Sequence, residues 1–363
     1  MSCITPRPAL ERVVPVPHGG HHSNLPPGDL LDFSANINPF GPSPRIWEAM
    51  QRVKIDRHPD PRATPLRCAL AAHHRVEPSA LLVGNGAVDL IYQLATACVR
   101  PGDHVLIVAP TFGEYAAAAV MMGAAVVVHR LLPEHGFALD IEALTRDVER
   151  FQPRLLFLCN PNNPTGTCHP RAVVETLLTA APDTLLVLDE AFVNFVAGHW
   201  QAAALLNYPN LLILRSMTKD YALTGLRVGY ALAAPEVIAA LEKVQPPWSV
   251  NALAQAAALA ALEDEAHLHT TLAQLAQASA ALRAGLTAQG CAPLPSAVHF
   301  SLLPVRSAPD AAHWLLRRGI LVRDGTSFGL PHHIRIAARC PTDNARLVAA
   351  LAAGKEELCA EKC

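Results

Sequence analysis

Between residues 81 and 233 a short apolar run recurs: LLV at 81, HVLIVAP at 104, AAVVVHRLL at 124, RLLFLCNP at 154, TLLVLDEAF at 184, LLILRS at 211 and RVGYALA at 227. Most of these runs are continuous rather than alternating, which belongs to strands covered on both faces. Helical patterns lie between several of them. Val88 to Val99 sets Leu90, Ile91, Leu94 and Cys98 on one stripe, and Ile141 to Phe151 opens on Asp140, a good N-cap residue. Repeated alternation of strand and helix predicts an α/β architecture, with a mostly parallel sheet in a three-layer domain.

Beyond Pro246 the texture becomes Ala/Leu-rich through Gln289, which fits one long helix or two in succession. Short strand-like runs follow at Val298 to Leu303, Ile320 to Arg323 and Ile334 to Ala337, and predict a smaller α+β domain. The expected division is an N-terminal arm over 1–36 that packs on the small domain, a large domain over 37–245 and a small domain over 246–363. The length of 363 residues suits two such units.

The formal charge is −2 and no Lys/Arg run occurs, so neither nucleic acid nor an anionic membrane is an expected partner. A small molecule is. No apolar run is long enough to cross a bilayer, and prolines interrupt Met1 to Pro17 where a signal peptide would be apolar, which predicts a cytoplasmic protein. Nine cysteines are scattered, Cys98 and Cys159 within apolar runs, as expected of reduced thiols. Cys359 and Cys363 close the chain as CAEKC, but two local ligands are too few for a metal site, and none is expected.

In open α/β sheets ligands sit beyond the carboxyl ends of the strands. After LLV comes GNG, where Gly86, Ala87 and Val88 offer the free N–H groups of a helix start to a phosphate; a plain turn has the same composition. After HVLIVAP comes Phe112, placed to stack on a flat ring or simply to fill core. After RLLFLC comes NPNNPTG, whose prolines and glycine would aim the Asn163 amide at one acceptor. After TLLVL comes Asp189, a carboxylate that burial makes costly unless it is paired; a protonated ring nitrogen or a protein arginine would serve. After LLILRS comes Lys219, with Ser216 three residues before it and Arg227 eight after. A lysine amine needs a cationic or desolvated setting to act as nucleophile, and Arg227 can both lower its pKa and grip a phosphate. These are the needs of a pyridoxal phosphate site. A dinucleotide enzyme is disfavoured, since GxGxxG does not follow the first run.

In order, GNG, PTFGEY, NPNNPTG, DEAF and SMTK with GLRVGY resemble the fold-type I pyridoxal phosphate enzymes of the aspartate aminotransferase fold, over nearly the whole chain. Within that group HGG at 18–20, DFSANINPFG at 32–41 and PPWSVNALA at 246–254 look most like the threonine-phosphate decarboxylases of cobalamin biosynthesis, with the histidinol-phosphate aminotransferases as near relatives. The resemblance implies that Lys219 forms the internal aldimine, Asp189 pairs with the pyridine nitrogen, Asn163 faces the ring hydroxyl and Phe112 stacks on the ring. It implies that Ser216, Arg227 and the Gly86 region hold the cofactor phosphate, and that the site lies at the interface of a homodimer. His18, Asn36, Asn163, Arg323 and Arg335 become candidates for binding a phosphorylated substrate.

Two departures matter. Phe192 stands where aminotransferases of the group usually carry tyrosine, while the decarboxylase-like members also carry phenylalanine. His58 stands where a tyrosine commonly reaches the partner subunit's cofactor phosphate. The expected activity is a carbon–carbon lyase reaction, the decarboxylation of O-phospho-L-threonine to an aminopropanol phosphate. Amino-group transfer of the histidinol-phosphate kind is the alternative, and a non-catalytic cofactor-binding regulator a more distant one, since the chain has no basic DNA-binding helix.

Overall fold

The computed structural model describes residues 5, 7–20 and 30–358. The CAEKC cysteines lie outside the described residues. Strand β1 (Leu31–Asp32) precedes the main sheet, which comprises β2 (Leu81–Gly84), β3 (His104–Ala109), β4 (Ala125–Arg130), β5 (Leu155–Cys159), β6 (Leu185–Asp189), β7 (Leu211–Ser216) and β8 (Gly229–Ala233). Their spatial order is β2-β8-β7-β6-β5-β3-β4, and β8 runs antiparallel to both neighbours while the other pairings are parallel. The expected mostly parallel sheet is therefore present.

The continuous apolar runs are explained by what covers them. Side chains alternate across a strand, so Leu106, Leu156, Leu188 and Ile213 enter one core while Ile107, Phe157, Val187 and Leu214 enter the other. Helices Thr64–His74, Ile141–Phe151 and Arg171–Ala180 cover the first face, and Ala87–Cys98, Glu114–Met121 and Pro235–Val244 the second. Each fully buried Leu, Ile or Val contributes roughly 1.5–3 kcal/mol. Asp140 caps Ile141–Phe151 by accepting from the Ala143 N–H at 3.0 Å.

The Ala/Leu-rich stretch forms two helices, Ala252–Leu262 and Glu265–Ala288, separated where Asp264 accepts from the His267 N–H to cap the second. The first places Ala254, Ala257, Ala258 and Ala261 in the core of the larger lobe. The second packs with Pro341–Ala353 in the smaller lobe, whose sheet joins β9 (Phe300–Pro304), β11 (Arg323–Asp324) and β12 (His333–Ala337). Between β9 and β11 lies β10 (Ile320–Leu321), which pairs in parallel with β1. The apolar run at 320 thus splits into two short strands in different sheets, because its halves face different neighbours. Before residue 36, Leu31–Asp32 lies on the small lobe through β10, whereas Pro8–Arg12 and Val16 lie against the helix Glu114–Met121 and its Gly113.

Candidate active site

The chain reverses its direction of travel across the sheet at β3, with β4 on one side and β5 on the other. The crevice beyond the strand ends at such a switch point is where ligands bind in this class of fold. The loops after β2, β3, β5 and β7, and the end of β6, each carry a residue singled out from the sequence.

Gly86 has φ +86° and caps the helix Ala87–Cys98, whose first N–H groups have no partner within the helix. A Cβ at Gly86 would lie 2.8 Å from a terminal nitrogen of Arg227, and one at Gly229 would lie 2.8 Å from the Ala87 nitrogen. Glycine is required where strand, helix start and guanidinium converge so closely. Arg227, itself at φ +62°, donates to the Thr224 carbonyl at 3.0 Å. The buried hydroxyls of Ser216 and Thr218 lie 2.7 Å apart. Thr218 was not singled out from the sequence, although it shares the loop with Ser216 and Lys219. Helix start, two hydroxyls and a guanidinium form a cradle suited to a phosphate.

Asp189 and Glu190 are adjacent and both buried, yet their partners differ. Glu190 meets Arg215 at 2.9 Å. Asp189 accepts only neutral donors, the Tyr115 hydroxyl at 2.6 Å and the Ala191 N–H at 2.9 Å, and among the described residues no cationic side chain pairs with it. Burial raises its pKa, against the pull of Tyr115 and Ala191. The nearby arginine is therefore taken by Glu190, and the Asp189 charge is left for a cation from outside the chain. Tyr115 is fully buried and stacked on Phe157 at 4.6 Å; Phe112 meets Tyr115 edge-on at 5.7 Å. Tyr115 was missed in the sequence because nothing in PTFGEY reveals that its hydroxyl reaches the end of β6.

The two asparagines of NPNNPTG divide the work. Asn162 locks two loops together, donating to the Pro110 carbonyl and the Thr165 hydroxyl, both at 2.8 Å, and accepting from Thr111 at 2.7 Å. Asn163 accepts from Arg335 through its oxygen, and its amide nitrogen donates to nothing among the described residues.

Lys219 follows β7, and its carbonyl accepts from the Asn38 N–H at 2.9 Å. Asn38 in turn donates to the Asp220 carbonyl and to Thr271, so the 32–41 segment fastens the lysine loop. Burial, then the neighbouring Arg335 and Arg227 charges, lower the amine to about 8. At the far end, Arg335 donates to Asn163 and to the Ser34 carbonyl, and burial with the charge of Arg323 brings it down to about 9. Arg323 lies opposite Arg335 across β11 and β12 and donates to the Pro17 carbonyl at 2.7 Å and to Ser327 at 2.6 Å. The Asn36 side-chain oxygen is buried without a partner. His18 meets Glu114 at 2.8 Å, with its ring 5.9 Å from Phe112. His58 alone stands apart: it is exposed and stacked on Trp248 at 4.4 Å, with no contact to the other candidates among the described residues.

The residues fit pyridoxal 5'-phosphate: an unpaired buried carboxylate for the ring nitrogen, a cradle for the phosphate, and an amine whose proton is held weakly. The family model for class I and II aminotransferases matches residues 28–353. The histidinol-phosphate aminotransferase of Symbiobacterium thermophilum is 39% identical, over 91% of each chain. Among solved structures, that of histidinol-phosphate aminotransferase from Sinorhizobium meliloti in complex with pyridoxal-5'-phosphate has a TM-score of 0.80 at 27% identity, covering 88% of this chain and 89% of that one. The L-threonine-O-3-phosphate decarboxylase of Porphyromonas gingivalis has a TM-score of 0.79 at 29% identity, covering 90% and 99%. Fold and cofactor together define a fold-type I pyridoxal phosphate enzyme. The chain belongs to the class I and II aminotransferase family.

Proposed function

We propose that this enzyme removes the carboxylate of a phosphorylated amino acid, O-phospho-L-threonine, to give an aminopropanol phosphate and carbon dioxide. The observation that carries this reading is Phe192. By the resemblance it stands where aminotransferases of the group usually carry tyrosine, and it packs edge-on against Phe300 at 5.0 Å in an apolar wall with Val298 and Ala337. Pyridoxal phosphate, when bound, supplies an electron sink for the bond broken at Cα.

The chain's residues would do the rest. Asp189 would hold the ring nitrogen protonated, Asn163 would donate to the ring oxygen, Phe112 would cover the ring face, and Gly86, Ala87, Val88, Ser216 and Arg227 would hold the phosphate. Arg323 and Arg335, with His18 and Asn36, would bind the substrate's anionic groups and so orient the bond that is broken at Cα. Lys219, with its pKa near 8, would carry the proton that replaces carbon dioxide at Cα. His58 would reach the cofactor phosphate of a second copy in a dimer.

Amino-group transfer with histidinol phosphate is the second reading, and the printed names of the curated relatives favour it. The decarboxylase reading is kept first on the resemblance of Phe192 and of the HGG, DFSANINPFG and PPWSVNALA segments to the threonine-phosphate decarboxylases. Purified enzyme is expected to release carbon dioxide from O-phospho-L-threonine without a keto acid. Failure to do so, with amino transfer from histidinol phosphate to 2-oxoglutarate, would replace the first reading by the second.

A further inference from the structure

We propose that Glu114, braced by Tyr92, is a positioning residue that fixes His18 over the site, so that the strap Pro17–Gly20 completes the pocket for the substrate's phosphate. The inference rests on the reading of a phosphorylated substrate.

Both oxygens of Glu114 are committed: one meets His18 Nε2 at 2.8 Å, and the other accepts from the Tyr92 hydroxyl at 2.6 Å. Glu114 is only 7% exposed, although it opens a helix two residues after Phe112. A buried carboxylate needs such partners, and here one of them comes from the N-terminal strap. The strap's other bonds lead to the two arginines. The Pro17 carbonyl accepts from Arg323 at 2.7 Å, and the Gly20 N–H donates to the Ser34 hydroxyl at 2.8 Å, while the Ser34 carbonyl accepts from Arg335. A Cβ on Gly19 would sit 2.4 Å from that Ser34 carbonyl, so the strap passes as closely as glycine allows. His18 is thereby held between the backbone partners of Arg323 and Arg335. With Nε2 engaged by Glu114, Nδ1 is the nitrogen left for a ligand, and a neutral imidazole accepts there while an imidazolium donates. A half-exposed imidazole becomes an oriented ligand-binding group because Glu114 and Tyr92 stand behind it.

The test uses the holoenzyme with inorganic phosphate as probe, read from the visible absorbance of the bound cofactor, alongside KM for O-phospho-L-threonine and L-threonine. Glu114→Gln is expected to weaken phosphate binding about tenfold, a loss of about 1.4 kcal/mol, and to raise KM for the phosphate ester more than for L-threonine. In a His18→Gln background it is expected to add nothing further. Losses that add in the double variant, or phosphate binding unchanged by Glu114→Gln, would overturn the inference. Wild-type enzyme that handles L-threonine as well as its ester would instead overturn the proposed substrate, while weaker phosphate binding by Glu114→Gln would still uphold the role of Glu114.

Discussion

A lysine buried beside two arginines carries a cost that the cofactor-free protein must bear. The folded-state pKa of Lys219 lies near 8, below its ordinary 10.5. Between these values the unfolded chain binds more protons than the folded one, so stability rises with pH through that window and the cost is felt in full below it. At about 1.4 kcal/mol per unit the cost is of order 3 kcal/mol. Cofactor-free Lys219→Met is therefore expected to resist urea better than the cofactor-free wild type at pH 7, with the gap closing from pH 8 to pH 10.5. A gap that stays constant over this range would show that the amine is solvated rather than buried among cations.

The loops at the strand ends place these residues, and Gly86 shows how narrow their tolerance is. Gly86→Ala would combine a backbone at φ +86° and ψ 162°, nearly closed to residues with a Cβ and costing about 1–3 kcal/mol, with a methyl group pressed against Arg227. The expected result is an intact fold and at least tenfold weaker binding of pyridoxal phosphate by absorbance titration; unaltered affinity would remove Gly86 and Arg227 from the phosphate cradle. The strands themselves were legible because continuous apolar runs report burial on two faces, a local property. Less legible was whatever depends on pairing between distant segments. Nothing in ILVRD shows that Ile320 meets Leu31 while Arg323 meets Arg335. The Tyr115 hydroxyl on Asp189 and the capture of Arg215 by Glu190 are likewise products of the sheet order, which the sequence does not spell out. Asn163, Asp189 and Lys219 could be found because each ends or follows a strand that points at the crevice.

On the scale of the whole molecule, two lobes meet where Arg335 of the small one donates to Asn163 of the large one, and the candidate site lies along that seam. Outside it, Trp47, Ile55 and Trp248 are among the exposed large apolar side chains, and His58 stacks on Trp248. Large apolar side chains left exposed suit contact with a second copy. Sedimentation is expected to give a dimer, and His58→Ala to weaken cofactor binding without dissociating it; a monomer with full cofactor affinity would contradict this arrangement. The chain has five lysines, at 54, 219, 243, 355 and 362. Borohydride reduction of the holoenzyme followed by peptide mass mapping tests most directly which of them holds the cofactor. The pyridoxyl group is expected on Lys219 alone; finding it on another lysine, or on none, would contradict the site described above.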